Sequence, residues 1–475
     1  MPSQWPTSDA LPYGHVEATE VARADDKWGW AELFIAIQLL WGVMMFVPGM
    51  QAYRSYVRAL PFVTSLGGLV YYFFFFERGT GEPLPTSAKW LIASLVLLVL
   101  NLLHDTTHWS AGIAQLVFQI SIAAPAFWMA RSVRSQSQLT RVMWVVFASS
   151  FLGSAFGILQ VYYPESFLPP EFNNLSLAIN PEIIGALTYV GANGRQIIRP
   201  PGLSDLPGGA AIAGMTTMVL GLAFGVRRDQ RWTTSLVCLA AAAIGMTALY
   251  LTQVRSLAIA GAASVGLFAL VRFRQGRTLE GSLSLVAGLS LVIGAYLWAV
   301  ALGGESLSNR FFGLVDEGVF RTFQEQRGFF LRYTLSELLY EFPLGAGLGR
   351  WGTMQVYFGD ESMWQAPPIH VEIQPTGWLL DGGIPLWLLY GAALVAALRF
   401  AYRMGLHGPS ETLRWLATVV LVIQLAIVTL CFSGPVFNTQ LGIQFWALTA
   451  ALFGALQAWR REKEEEGHAG LEVLR

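Results

Sequence analysis

The length of the apolar runs constrains this chain more than any other feature. About twelve stretches carry close to 20 apolar residues each, the length a helix needs to cross the hydrocarbon of a bilayer. They lie near 29–47, 58–76, 88–104, 111–130, 142–162, 208–226, 233–252, 257–271, 281–302, 377–398, 413–433 and 439–459. Barrel strands would alternate in polarity over about ten residues instead. The expected fold is therefore all-α, a polytopic integral membrane protein with about 12 transmembrane helices. The run 257–271 is short and 58–76 contains Pro61, so the count is open by one. Composition agrees, because only 13% of the residues are charged, about half the share in soluble domains. With 30 Lys+Arg against 31 Asp+Glu there is no basic excess for a nucleic-acid partner. Cys238 and Cys431 both lie inside apolar runs, which leaves neither a disulfide framework nor a cysteine zinc site.

Arginines sort the connections into two kinds. Arg131, Arg134 and Arg141 mark one connection, Arg227, Arg228 and Arg231 the next, then Arg272, Arg274 and Arg277, then Arg399 and Arg403; Arg460, Arg461 and Lys463 follow the last run. The alternate short connections 105–110 and 434–438 hold no Lys or Arg, and Arg54 with Arg58 is the discordant pair. The positive-inside rule then places both termini in the cytoplasm. Residues 1–28 read as a polar cytoplasmic segment, 29–459 as one transmembrane domain and 460–475 as a charged cytoplasmic tail. Two long segments, 163–207 and 303–376, fall on the far side. Long outer loops of a polytopic protein are where site residues belong.

The first outer segment ends with Arg195 and Arg199 beside Pro200, Pro201 and Gly202, directly before an apolar run. Arg255 sits between two apolar runs with almost no loop, a costly place for a cation unless it meets an anion or a wet cavity. In the second outer segment Phe323, Leu331, Leu335, Leu338 and Phe342 repeat at helical spacing from Phe320. At 100° per residue Arg327 falls within that stripe and Arg332 about 140° away from it. An amphipathic helix on the membrane explains the stripe but not an arginine inside it. Gly345, Gly347 and Gly349 then space a turn after Pro343, and Pro367-Pro368-Ile369-His370-Val371-Glu372 leads to Asp381-Gly382-Gly383-Ile384. His104 and His108 have the spacing of a metal pair but no third strong ligand in reach by sequence.

In this order the motifs resemble the O-antigen ligase and O-antigen polymerase family of bacterial envelope glycosyltransferases, over roughly residues 140–400. The resemblance implies a wholly helical fold of the GT-C type in the bacterial inner (plasma) membrane, with the active site facing the periplasm. It implies a donor glycan on undecaprenyl diphosphate and an acceptor hydroxyl on a glycan, a lipid A core or a protein. No nucleotide sugar, metal or other cofactor is implied. The family's arginines map to Arg199, Arg255 and Arg327 and its histidine to His370; Arg195 and Arg332 are the nearest competitors for their motifs. Members often carry Asn after the histidine, where this chain has Val371 and then Glu372, a partner for His370 or a rival base.

The residue chemistry agrees. A polyprenyl diphosphate needs forked cationic donors at the bilayer surface, and arginine pairs bidentately with phosphate oxygens. Charge that builds on the departing diphosphate is stabilised by the same fixed arginines, so Arg255 counts as catalytic as well as binding. Histidine exchanges a proton near neutral pH and suits the acceptor hydroxyl. The competing reading is a transporter or flippase of lipid-linked glycans, which calls for charges deep inside several spans. Asp381 is the nearest to that description.

Overall fold

The computed structural model describes residues 28–472 apart from 48, 76–83, 169–187, 192–193, 195, 205–207, 317, 319–320, 322 and 360–368. Each of the twelve apolar runs becomes one helical stretch. In chain order these are α1 (Trp30–Leu40, continued by a 3₁₀ turn Trp41–Phe46), α2 (Arg54–Phe75), α3 (Thr86–Asn101), then α4 (Trp109–Ala123) with α5 (Pro125–Ser132), which run on as one. After α6 (Gln136–Tyr162) come α7 (Ala210–Gly225), α8 (Trp232–Leu251), α9 (Arg255–Arg274) and α10 (Thr278–Asp316). The second outer segment holds α11 (324–341) and the short α12 (Gly352–Phe358), followed by α13 (Gln374–His407), α14 (Glu411–Leu430) and α15 (Gln440–Glu472). Among the described residues, nine of the stretches are long and apolar enough to cross a membrane. The shorter three are α1 with its turn, α3 and α7. The protein is an all-α, multi-pass membrane protein.

Burial sorts the helices into centre and rim. Nearly all of α7 is buried, whereas α2 and α10 turn Phe73, Phe74, Val286, Leu289 and Leu297 outward. An apolar rim of that kind is solvated by lipid. With no hydrophobic drive between helices in lipid, close backbone packing takes over. α7 and α8 meet in this way: a Cβ on Gly214 would lie 2.5 Å from the Gly245 carbonyl oxygen, and one on Gly245 would lie 2.7 Å from that of Gly214.

The connections gather at two ends. At the arginine-rich end Arg141 pairs with the buried Glu32 at 3.1 Å, and the Ser410 hydroxyl donates to Gln136 Oε1 at 2.6 Å. Arg272, itself buried, joins Glu280 and lies 3.0 Å from Glu411, while Gln275 donates to the Gly405 carbonyl at 2.7 Å. Residues 28–30 and Arg461, Glu462 and Glu465 line one cleft, so both ends of the helical domain lie here. At the opposite end the 101–110 turn, the Gly345–Gly349 turn and α12 are joined. Thr106 donates to the Ala346 carbonyl at 2.8 Å, the His108 amide to Leu348 at 3.1 Å and the Ser110 hydroxyl to Phe358 at 2.6 Å. Arg58 donates to the Tyr357 hydroxyl at 3.4 Å, so the discordant pair Arg54 and Arg58 belongs to this second end.

Three local expectations change. The first outer segment contains a small antiparallel hairpin, β1 (Thr188–Val190) with β2 (Gln196–Ile198), rather than helix and loop alone. α10 continues past residue 302 to Asp316, across a non-helical Gly304. Within α11, residues Gln324–Gly328 and Thr334–Leu338 are π-helical, and Gly328 keeps helical angles instead of breaking the helix. Each π turn takes an extra residue, which rotates the faces away from the 100° wheel. Thr334 and Leu338 are buried while Leu335 is exposed, so the single stripe read from the sequence does not form.

Candidate functional site

Arg199 follows β2 directly and is fixed by the loop that returns to α7. Its carbonyl accepts from the Gly208 amide at 3.1 Å. Gln160 clamps the intervening turn, donating to the Gly202 carbonyl at 2.9 Å and accepting from the Gly202 amide at 2.8 Å. The same loop abuts α9, since a Cβ on Gly208 would touch the Val254 side chain at 3.6 Å. Arg255 is the next residue and the first of α9. Before it, buried Gln253 holds φ 57°, a left-handed conformation uncommon outside glycine.

Electrostatics in this corner favour one kind of guest. Burial, and then the Arg255 guanidinium, hold the Arg199 guanidinium below its ordinary pKa, with Tyr189 opposing. Tyr189 faces Ile197 across the hairpin, and burial pushes its phenol upward, with Arg199 opposing. The Tyr189 hydroxyl and Arg199 Nε are buried with no hydrogen-bond partner among the described residues. No described carboxylate acts on Arg199. Arg255 also sits at a helix N-terminus, where the peptide dipoles favour negative charge. Two guanidiniums, a phenol and a helix end converge without a counter-ion among the described residues, which is an anion-binding arrangement.

A second group forms where α11 meets the start of α13. Arg327 pairs with Glu372 Oε2, and the other oxygen of that carboxylate, Oε1, lies 2.7 Å from His370 Nε2. His370 is exposed and Arg327 and Glu372 are half-buried. The local cause is alternation in the non-helical stretch before α13. Ile369 and Val371 pack on the buried cluster Ala346, Trp351 and Leu380, which leaves His370 and Glu372 side by side on the other face. Thr334 of α11 and Thr376 of α13, 2.6 Å apart, fix the two elements, and the Phe330 ring lies 6.1 Å from that of His370.

The structure thus brings together Arg199 with Arg255, and Arg327 with Glu372 and His370. No hydrogen bond or ion pair between described residues joins the two groups. Arg332 is exposed on α11. Arg195, Pro367 and Pro368 lie outside the described residues. His104 and His108 serve the 101–110 turn: His104 Nδ1 is 2.9 Å from the Thr106 hydroxyl, and His108 bonds through its backbone to Leu348. Among the described residues no three of His, Cys, Asp and Glu gather as a metal site would require.

Two residues escaped the sequence reading. Tyr189 carries no sequence signal, because a three-residue strand has too little pattern to read. Arg350, which directly follows the Gly-x-Gly-x-Gly turn, is almost fully buried. Its guanidinium donates to the Ala346 carbonyl at 3.1 Å, lies over the Phe342 ring, and is pushed below its ordinary pKa by burial, with Glu341 opposing. Its own carbonyl accepts from the Ile369 amide at 2.9 Å, one residue before His370. In comparisons with known proteins, no family model and no curated protein matches the chain.

Proposed function

We propose that this protein is a glycosyltransferase that moves a glycan from undecaprenyl diphosphate onto an acceptor hydroxyl, as an O-antigen ligase or an O-antigen or exopolysaccharide polymerase does. The observation that carries the reading is the pair Arg199 and Arg255, close enough to repel, with the unpartnered Tyr189 hydroxyl near Arg199 and no described carboxylate acting on Arg199. An anion bound between such a pair relieves their repulsion, and arginine forks match the oxygens of a diphosphate. The end of the bundle that holds them meets a bilayer surface, where the polyprenyl tail remains in lipid. In this reading twelve helices cross the inner membrane, both termini are cytoplasmic, and the site faces the periplasm.

The chemistry divides between the two groups. The acceptor oxygen attacks the anomeric carbon while the bond from that carbon to the phosphate oxygen breaks, and the diphosphate leaves with the electron pair. Arg199 and Arg255 stabilise the charge that builds on it, strongest where water is excluded. His370 takes the proton of the acceptor hydroxyl, and Glu372 orients the imidazole and supports its charge. Arg327 neutralises Glu372 rather than the donor.

The test is transfer from a purified lipid-linked donor. Arg255→Ala abolishes transfer while the protein stays inserted and abundant. Arg255→Lys recovers little of it, because lysine keeps the charge and loses the planar fork. Wild-type transfer by the alanine variant would remove Arg255 from the site and, with it, the proposed donor.

A further inference from the structure

α13 is broken where a carboxyl group is buried. Gly383 has φ 65° and ψ −159° inside the helix, Pro385 follows, and Asp381 is 1% exposed just before the break. The Gly345–Gly349 turn fills the gap. The Ala346 amide donates to the Leu380 carbonyl at 2.7 Å, and the Ile384 amide donates to the Pro343 carbonyl at 2.9 Å. Asp381 ties this insertion to its surroundings from one point. Its Oδ1 accepts from Trp351 Nε1 at 2.7 Å, its Oδ2 from Gln115 Nε2 of α4 at 3.3 Å, and its carbonyl from Asn101 Nδ2 of α3 at 2.7 Å.

The tie leads to the second group of site residues. Trp351 is buried in the cluster with Ala346 and Leu380 on which Ile369 and Val371 pack, and the carbonyl of the preceding Arg350 holds the Ile369 amide. His370 and Glu372 alternate with those two anchored residues. We infer that Asp381 is a positioning residue: by accepting the Trp351 indole hydrogen bond it keeps the glycine turn seated in the break of α13, and the seated turn sets where His370 and Glu372 stand. An ionisable group at membrane depth is a functional candidate by default, and a proton carrier is the usual alternative. Here both carboxylate oxygens are occupied by fixed donors, and among the described residues no titratable side chain is bonded to either. The groups facing Asp381 are an indole and two amides.

The consequence for catalysis rests on the glycosyltransferase reading, whereas the consequence for placement does not, so the experiment has two arms. A cysteine at Val371→Cys reports the seat of the segment through its reaction with a membrane-impermeant maleimide; native Cys238 and Cys431 are buried and free. Asp381→Leu removes both acceptors and speeds labelling at 371 by about tenfold, the size of one hydrogen bond to a charged group. Trp351→Phe, which keeps a ring and loses the donor, does the same and serves if Asp381→Leu fails to insert. Asp381→Asn keeps an acceptor for Trp351 and leaves labelling at the wild-type rate. In the activity arm, measured on chains without the added cysteine, Asp381→Leu and Trp351→Phe lower turnover with donor affinity unchanged, and Asp381→Asn retains most turnover. If Asp381→Asn is as inactive as Asp381→Leu while residue 371 stays protected, Asp381 carries a proton and the inference is overturned. Unchanged labelling in both Asp381→Leu and Trp351→Phe overturns it as well. If no variant, nor the wild type, transfers a glycan but labelling follows the expected order, the positioning role stands and the proposed reaction fails.

Discussion

A carboxylate held between an arginine and a histidine has both of its oxygens committed. That is the state of Glu372, with Arg327 on Oε2 and His370 Nε2 on Oε1. With Nε2 donating to the carboxylate, Nδ1 is the nitrogen of His370 left to accept a proton, so the proposed reaction takes His370 rather than Glu372 as its base. His370→Ala slows transfer by about 10²–10⁴-fold, the range of a general-base contribution, with donor affinity intact. Arg327→Ala also lowers turnover and leaves donor affinity unchanged, since its partner is Glu372. Titration of lipid-linked donor against each variant, alongside turnover, checks both; donor affinity that falls with turnover in Arg327→Ala would return Arg327 to the diphosphate clamp. Glu372 was legible as a partner or rival of His370 only through the departure from the Asn that the resembled family often carries after its histidine. The pairing of Arg327 with Glu372 was not, because a helical wheel of constant step placed Arg327 among apolar neighbours and its partner lies on another element.

Two helices are interrupted at a glycine. In α10 and α13 a glycine turns the chain out of helical angles, Gly304 at φ 66° and Gly383 at φ 65°. An ψ near 180° with φ positive is open only to glycine at ordinary cost. A Cβ on Gly383 would also overlap the Pro343 carbonyl oxygen, whereas nothing stands within 4 Å of one on Gly391 further along the same helix. Gly383→Ala therefore destabilises the protein by more than about 2 kcal/mol, strain and overlap together. Gly391→Ala changes stability by less than about 1 kcal/mol, in the stabilising direction, because alanine is the better helix former. Thermal unfolding of the purified variants in detergent separates the two; equal melting temperatures would mean that the break is not required. The glycine turn was legible as a mark of close packing, and the Asp-Gly-Gly motif only as the entry to an apolar run. That one inserts into the other was not, because nothing in spacing tells which distant turn fills a break.

The whole molecule sorts its connections by charge. The ion pairs of Arg141, Arg272, Arg277 and Arg414 all lie at the end where both termini of the helical domain sit, and the site residues gather at the other. Reporter fusions after residues 135, 229, 275 and 405 are expected to read as cytoplasmic, and those within 163–207 and 303–376 as periplasmic. A cytoplasmic signal from a fusion near residue 350 would invert the proposed site. At this level the helical stretches were the most legible, because a bilayer demands a minimum run of apolar residues. The β1–β2 hairpin was the exception, with strands too short for an alternating pattern to register.

The broken helix also has a place in the order of synthesis. The partners at its break, Asn101, Gln115, Pro343, Ala346 and Trp351, all precede Gly383 in the chain. Peptide groups stripped of hydrogen bonds are not tolerated in hydrocarbon, and chains are made from the N-terminus. The ribosome therefore delivers the filler before the gap: by the time the second half of α13 emerges, the turn that fills the break has already been made, while the Gln374 end of the helix waits for later partners, Cys431 and Phe437. A permuted chain that began at residue 374 would reverse that order and leave the interruption bare until the end of translation.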